Sequence, residues 1–593
     1  MKKCLLLIVA VAMLLSACSV PGGGFIIDPA EGTAPPETGE VHQGTVSLEE
    51  LNPEELFSNR DYETGYDELK SAVITLSGSS ISCTSDAVKI DGTTATVTGE
   101  GTYVLRGSLD DGMIVVDAAK EDKVQLVLDG ASITSQTCAA IYILQADKVF
   151  LTLLGENHLE NGGSFQSPDE NNIDAVIFSK EDLTMNGTGS LTIVSPGGHG
   201  VVSKDELTIT GGSYSISCGA HGFSGKDCVS IAGGEMTIVS GKDGIQAEND
   251  EEEALGFVYI QDGTFHITAD GDGISASSAV QIDGGNFRIL CGGGAANGVQ
   301  HSSGMGFGGM GGRPGRPGDR GQSTQQTQTD TTSTKGIKAA SDLLINGGSF
   351  DIDSADDALH SNANLTVAGG SFLIATGDDG FHGDKALAIL SGTIQVTESY
   401  EGLEGLSITV SGGEIHLCCS DDGLNAAGGT DRSGFGNMGG RPGDRFGGSG
   451  SSDSFILISG GNLYINASGD GIDSNGSLTI SGGFTTVCGP TQGDTAVLDY
   501  DSTGIITGGT FIGTGSYMMA QTFSDSEQGV IALSVGNQSA GTPITLGDDS
   551  GKLLVDYTPE LNYAIVIIST PDMVKGQTYS ITVGRQSGDF SAN

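Results

Sequence analysis

Through the middle of the chain, apolar residues fall on every second position in short runs, and pairs of glycine punctuate the runs. Residues 207–218 read LTITGGSYSISC, 229–240 VSIAGGEMTIVS, 343–354 LLINGGSFDIDS and 365–376 LTVAGGSFLIAT. Alternation is the strand period, so Leu207 and Ile209 before the glycines face the same side as Tyr214, Ile216 and Cys218 after them. The glycine pair predicts a tight turn with positive φ. Pairs begin at Gly211 and Gly233, and again at Gly347 and Gly369, steps of 22 residues. The same grammar returns at 280–291, 408–419 and 456–467.

After the second run comes an acidic loop, a glycine and an apolar residue that starts a third short strand, as at Asp243, Asp272, Asp379, Asp422 and Asp470. Such a unit cannot bury its apolar face alone, and stacking units on one another makes a continuous core. The pattern predicts an all-β fold, a right-handed parallel β-helix of about 22-residue coils over residues 71–515. The calcium-binding nonapeptide roll has a period of nine and does not fit. Residues 516–593 lose the repeat but keep strands, and supply a C-terminal β cap for the open end of the stack. Cys218, Cys291, Cys419 and Cys488 fall on the last inward position of their units, which is always small, and read as buried free thiols.

Two segments break the period. Residues 301–334 and 428–453 are Gly-rich insertions, and share Met-Gly-Gly-Arg-Pro-Gly from Met310 and from Met438. They follow the Asn297 and Asp422 corners and are expected to project from one edge. The N-terminus is different again. A basic start, an apolar run from Leu5 to Leu15 and then Leu-Ser-Ala-Cys18 read as a lipoprotein signal peptide over residues 1–17, too short to span a bilayer. Cys18 is the expected lipidation site, which places the protein on the extracellular face of a bacterial membrane. Residues 18–70, rich in Gly, Pro, Glu and Thr up to about residue 60, read as a flexible tether.

Charge sharpens the picture. The chain of 593 residues has 75 acidic and 26 basic side chains, a net charge of −49. Nucleic acid is excluded as a partner through bulk charge. There is no Trp to make a flat sugar platform. Aligned on the corner glycine, the preceding residues form a column: His199, His221, Asp243, Asp272, Asn297, Lys335, Asp357, Asp379, Glu401, Asp422 and Asp470. Asp356, Asp378 and Asp421 stand beside it, with Asp384, Glu404 and Asp473 near. Carboxylates one strand spacing apart, about 4.8 Å, repel one another, so the column must be protonated or hold cations. Oxygen donors alone suit calcium. The expected ligands are Asp243, Asp272, Asp356, Asp357, Asp378, Asp379, Glu401, Asp421, Asp422 and Asp470; the bland reading is that each Asp caps its own turn. His360 and His382 read as satisfied surface histidines.

Several longer stretches carry a family resemblance: DKVQLVLDG at 122–130, AAIYILQADKV at 139–149, FSKEDLTMNG at 178–187, HGVVSKDEL at 199–207 and STPDMVKGQTY at 569–579. Over roughly residues 75–590 the chain resembles a bacterial extracellular family of calcium-binding, carbohydrate-binding β-helix proteins. The resemblance implies a fold similar to pectate lyases, calcium along the helix, and a plant-type or acidic polysaccharide such as polygalacturonate as partner. Only the Asp positions of the corners carry over; Asn297 and Lys335 break the pattern. Three functions remain open: non-catalytic calcium-dependent polysaccharide binding, a surface adhesin or spacer, and a polysaccharide lyase. A lyase needs a base beside the metal. Lys335, Lys338, Lys385 and Arg288 are basic residues within coils, none in a catalytic pattern, and no catalytic residue is assigned. One test follows from the N-terminus: Cys18→Ala removes the lipid and moves the protein from the membrane fraction to the soluble one, read by fractionation and mass spectrometry.

Overall fold

The computed structural model describes residues 50–299, 333–427, 453–491 and 495–593. Cys18, the signal peptide, most of the tether and nearly all of both Gly-rich insertions lie outside the described residues.

The regular structure is nearly all strand, and most strands join one long sheet, mainly by parallel pairing. Each repeat contributes three strands, and each pairs with its own equivalent in the next repeat. The first ladder runs through Glu206–Ile209, Cys228–Ile231 and Phe257–Ile260; the second through Ser213–Cys218, Glu235–Ser240 and Thr264–Ala269; the third through Phe223–Gly225, Ile245–Ala247 and Ile274–Ala276. The turn from first to second ladder uses the glycine pair as expected. Its second member has φ of 103° at Gly212, 127° at Gly234, 111° at Gly348 and 105° at Gly370.

Register turns the alternation into a core. Inward residues lie above inward residues one repeat away, and where the side chains repeat, Phe265, Phe287, Phe350 and Phe372 form a stack. Their ring centroids are 4.6, 4.8 and 4.7 Å apart and the planes lie within 5° of parallel. Offset stacking of this kind adds about 0.5–1.5 kcal/mol per pair beyond burial. Ile216, Ile238, Ile267, Ile289, Ile352 and Ile374 make a second such column. Cys218, Cys291, Cys419 and Cys488 are buried free thiols, as their place in the repeat predicts.

At the C-terminal end the last strand of the second ladder, Thr510–Gly515, pairs antiparallel with Tyr563–Ser569, which continues antiparallel to Val530–Gln538. A separate four-stranded sheet, also antiparallel, packs over a smaller apolar cluster that includes Leu546, Tyr579 and Ile581. The open edge is thereby covered by strands that cannot propagate the stack.

Three expectations need correction. Asn297 is not a member of the corner column. Ile274 pairs directly with Ile337, so the residue after Asp272 in the column is Lys335, and Asn297 belongs to a short 3-10 turn at Ala295–Asn297. The insertions do not replace one kind of loop: the first separates the second-ladder strand Asn286–Cys291 from third-ladder Ile337–Ala339, whereas the second separates third-ladder Leu424–Ala426 from first-ladder Phe455–Ile458. Lastly, the tether stops short of residue 70. Residues Pro53–Leu56 and Asn59–Tyr62 form short helical turns held against the first ladder. Asp61 is buried there, accepts from Thr184 Oγ1 at 2.5 Å and lies 3.1 Å from Lys148 Nζ. Leu51 N donates to Gln281 Oε1 at 2.7 Å. Composition hides this docking because its partners are remote in the chain, Thr184 by 123 residues and Gln281 by 230.

Burial alone would raise the Asp61 carboxyl, but bonds from Thr184 and Ser58 and the charge of Lys148 hold it below its ordinary value. A depressed carboxylate stabilises the docked segment above the ordinary carboxylate pKa, and that contribution is lost as pH falls through the lowered value. Asp61→Ala leaves Lys148 and Thr184 without their partner and weakens docking by about 3 kcal/mol at neutral pH. Limited proteolysis and hydrogen exchange of residues 50–70 are expected to read this as release of the segment.

A two-column acidic corner as the candidate functional site

The corner between second and third ladders carries the acids. Among the described repeats from Asp243 onward the column runs Asp243, Asp272, Lys335, Asp357, Asp379, Glu401, Asp422, Asp470 and then Ala496. These side chains have a structural task that sequence assigns only to their own turns. One oxygen accepts the backbone N–H of the next column member: Asp272 N to Asp243 Oδ1 at 2.8 Å, Lys335 N to Asp272 Oδ1 at 2.7 Å, Asp379 N to Asp357 Oδ1 at 3.0 Å and Glu401 N to Asp379 Oδ1 at 3.2 Å. Asp470 N and Ala496 N are held the same way by Asp422 and Asp470. His221 Nδ1 does the job for Asp243 N at 3.2 Å. Lys335 cannot accept, and Asp357 N turns to Asp356 Oδ1 at 3.0 Å instead. Each aspartate of the column therefore caps the following repeat and keeps a second oxygen, whereas Glu401 turns to Asn425 instead.

A second column stands three residues further on, at the middle of the third-ladder strand. Register pairs Gln246, Ser275, Lys338, His360, His382, Glu404, Asn425, Asp473 and Asp499 in succession. Sequence analysis picks out single members, such as His360, His382, Glu404 and Asp473, but not their continuity. Nor are the histidines on the surface: His360 and His382 are 1% and 3% exposed.

Together the columns differ along their length in what balances the negative charge. Near the first insertion, protein cations do it. Lys335 is fully buried with Nζ 2.8 Å from both Asp356 Oδ1 and Asp357 Oδ2. His360 Nδ1 is a further 2.8 Å neighbour of Asp357 Oδ2. Burial raises the Asp357 carboxyl, but Lys335 and His360 outweigh it and hold it well below the usual range. Asp272 has only Lys338, at 4.0 Å, and burial with the charge of Asp243 pushes it up to about 6. One repeat on from Asp357, His382 lies among Asp379, Asp384 and Glu404.

Beyond Glu404 the donors are oxygen alone. Glu401 Oε1 accepts from Asn425 Nδ2 at 2.9 Å, while the buried Glu401 Oε2 and Asn425 Oδ1 have no hydrogen-bond partner. Burial, then the charges of Glu404 and Asp422, push Glu401 well above its ordinary value. Burial, Asp470 and Asp421 do the same to Asp422. Asp422, Asp470 and Asp473 bring ligand oxygens within 4.8 Å of one another, as do Asp356, Asp357 and Asp378. Orphaned acceptors in a field of raised carboxyls fit a hard cation.

Comparison with known proteins gives a consistent result. The family model described as carbohydrate-binding domain-containing protein matches residues 91–380 and 379–532. A relative from Acetivibrio thermocellus, named carbohydrate-binding domain-containing protein, is 35% identical over 132 residues, 22% of this chain and 46% of its own length. The chain thus spans about half the length of that curated relative. A solved structure, of the polysaccharide lyase-like protein from C. thermocellum as a gadolinium derivative, is 33% identical over 38% of this chain and 92% of that one, with a TM-score of 0.37.

The internal cation is open to test. Lys335→Met strands Asp356 and Asp357 and costs about 3–5 kcal/mol at neutral pH. In the wild type the depressed Asp357 stabilises above the ordinary carboxylate range, and this is lost as pH falls through its lowered pKa. The variant lacks that term, so its deficit narrows on acidification, as Asp357 there takes up a proton. Urea unfolding across a pH series reads both effects.

Proposed function

This chain belongs to the family of carbohydrate-binding domain-containing proteins, and we propose that it is a non-catalytic, calcium-dependent binder of an acidic extracellular polysaccharide, polygalacturonate-like, held on a bacterial surface by lipid on Cys18. In this reading the three ladders wind as a right-handed parallel β-helix of about 22-residue coils, closed by the C-terminal strands. The observation that carries the calcium reading is the oxygen-only stretch of the corner. Glu401, Asp422, Asn425, Asp470 and Asp473 would hold the ion, with Asp421 beside them. The acids from Asp243 to Asp379 lean on lysine and histidine and fit calcium less well, and this includes Asp356 and Asp357, which hold Lys335 between them.

Bound calcium supplies positive charge that a uronate carboxylate can share, which reconciles a protein of net charge −49 with an acidic ligand. The protein's own residues do the rest. The backbone caps fix the acids at one strand spacing, and that repeat presents a regular track to a regular polymer. Binding without cleavage is supported by the placement of the bases. Lys335 is completely buried between two aspartates, and Lys338 lies beside Ser333 and Asp272. Arg288 is exposed but on the second ladder, 3.8 Å from Asp351. None of these three is free beside the oxygen-only stretch; Lys385 is exposed on the strand Phe381–Ile389, in the repeat before Glu401.

Calcium at a hundredfold excess over its Kd stabilises the fold by about 2.7 kcal/mol, read as a rise in Tm over EDTA. Binding to polygalacturonate in an affinity gel follows the same calcium dependence. The double variant Asp422→Ala, Asp473→Ala loses the calcium shift and the binding, with its circular dichroism retained. Identical melting in calcium and EDTA refutes the metal reading, and unsaturated product absorbing in the ultraviolet replaces binding with a lyase activity.

A further inference from the structure

His382 is the place where the corner departs from oxygen chemistry. Its Nδ1 lies 2.6 Å from Glu404 Oε2 and 3.1 Å from Asp379 Oδ2, while Nε2 is 3.2 Å from Asp384 Oδ1. The Asp379 and Glu404 carboxyls are also within hydrogen-bonding reach of each other. The three ligand atoms lie within 4.8 Å of one another, and all three residues are largely buried. Two carboxylates thus converge on one ring nitrogen and on each other, away from water.

A protonated imidazole satisfies this arrangement only if Asp379, pushed well above its ordinary value by burial and the charge of Glu404, also carries a proton and shares it with Glu404. Without that proton the balance fails: the imidazolium Nδ1–H donates to one carboxylate well and leaves the second facing the first, and three carboxylates around one imidazolium leave two negative charges uncompensated. A divalent ion between Nδ1, Asp379 and Glu404 balances both carboxylates with the ring neutral. The proton then sits on Nε2 and points at Asp384, the carboxylate–histidine–metal relay that fixes the tautomer in metal sites. Calcium is the wrong ion here: it takes six to eight oxygens, whereas this site offers two carboxylates and a nitrogen, a donor set that suits zinc and its neighbours.

We propose that His382 Nδ1, Asp379 and Glu404 form a three-ligand site for a divalent transition metal of the zinc class, with Asp384 as the positioning residue behind His382. The site adjoins the oxygen-only stretch, since Glu404 stands in the repeat of Glu401, but it uses none of the proposed calcium ligands and does not rest on them. It gives the corner a softer metal beside Lys335, where the protein's own cations run out.

The test titrates full-length, detergent-solubilised protein, stripped with EDTA and returned to excess calcium, with cobalt(II) and then zinc(II). Nitrogen ligation at low coordination number gives visible cobalt absorption. The expected result is one absorbing equivalent that zinc displaces and excess calcium does not. His382→Gln abolishes it. Asp384→Asn, which keeps all three ligands, weakens metal binding about 10–100-fold. The calcium-induced rise in Tm, measured on the same variants, reports folding and the calcium site independently. No visible absorption, displacement by calcium, or a cobalt spectrum that survives in His382→Gln overturns the proposal, whether or not the calcium reading stands.

Discussion

Along the parallel ladders each strand residue lies one strand spacing, about 4.8 Å, from its equivalent in the next repeat. That translation governs both inside and outside. In the core it is favourable: Phe265, Phe287, Phe350 and Phe372 meet face to face, and isoleucine meets isoleucine. At the corner the same translation brings carboxylate to carboxylate, where each contact is repulsive unless something positive intervenes. The fold does not permit one without the other. A register shift that relieved the acids would flip each strand's alternation and expose the phenylalanine column.

Why, then, keep acids at the corner? At most rungs the amide N–H of the column residue is taken by the side-chain oxygen of the preceding aspartate. Leaving such a buried donor unmet costs about 1–3 kcal/mol, repeated at each rung. Aspartate is short enough to reach and keeps a second oxygen. Function is built on what capping leaves over. The histidine at position 221 shows that capping alone does not require a carboxylate, since its Nδ1 accepts equally well. The choice of acid from Asp243 onward therefore answers to something besides the cap.

Much of this is legible from the chain, and the reasons it stops are physical. Alternation and the glycine pair expose the strands and the turn because both are local, and the 22-residue step exposes the stack because identical environments select similar residues. Three things are not local. Lys335 follows a long insertion, so spacing alone enters Asn297 as an extra column member; only the pairing of Ile274 with Ile337 removes it. The second column is hidden because its members, from Lys338 through His382 to Asp473, share a position and not a residue type. The docking of Asp61 under Thr184 obeys no period at all. For the same reason His360 and His382, read singly, look like surface residues, and only the neighbouring repeats that flank them make them buried.

The sequence of cations along the corner carries a last consequence. Reading toward the C-terminus, the negative column meets Lys338, then Lys335, then His360 and His382, and then no basic side chain among the described residues near Glu401, Asp422 and Asp473. A covalently attached ammonium neutralises a rung permanently and so offers nothing to an anionic ligand. An exchangeable ion keeps unfilled coordination positions and can be shared. A column balanced throughout by lysine would be a stable scaffold with no affinity of this kind. One balanced throughout by solvent ions would fold only when loaded, because every rung would need its ion before the next could stack. On the proposed calcium reading, fixed cations at one end and imported ones at the other would separate the two demands: the rungs around Lys335 would hold their register unaided, and the rungs beyond Glu404 would be left to respond to what is bound.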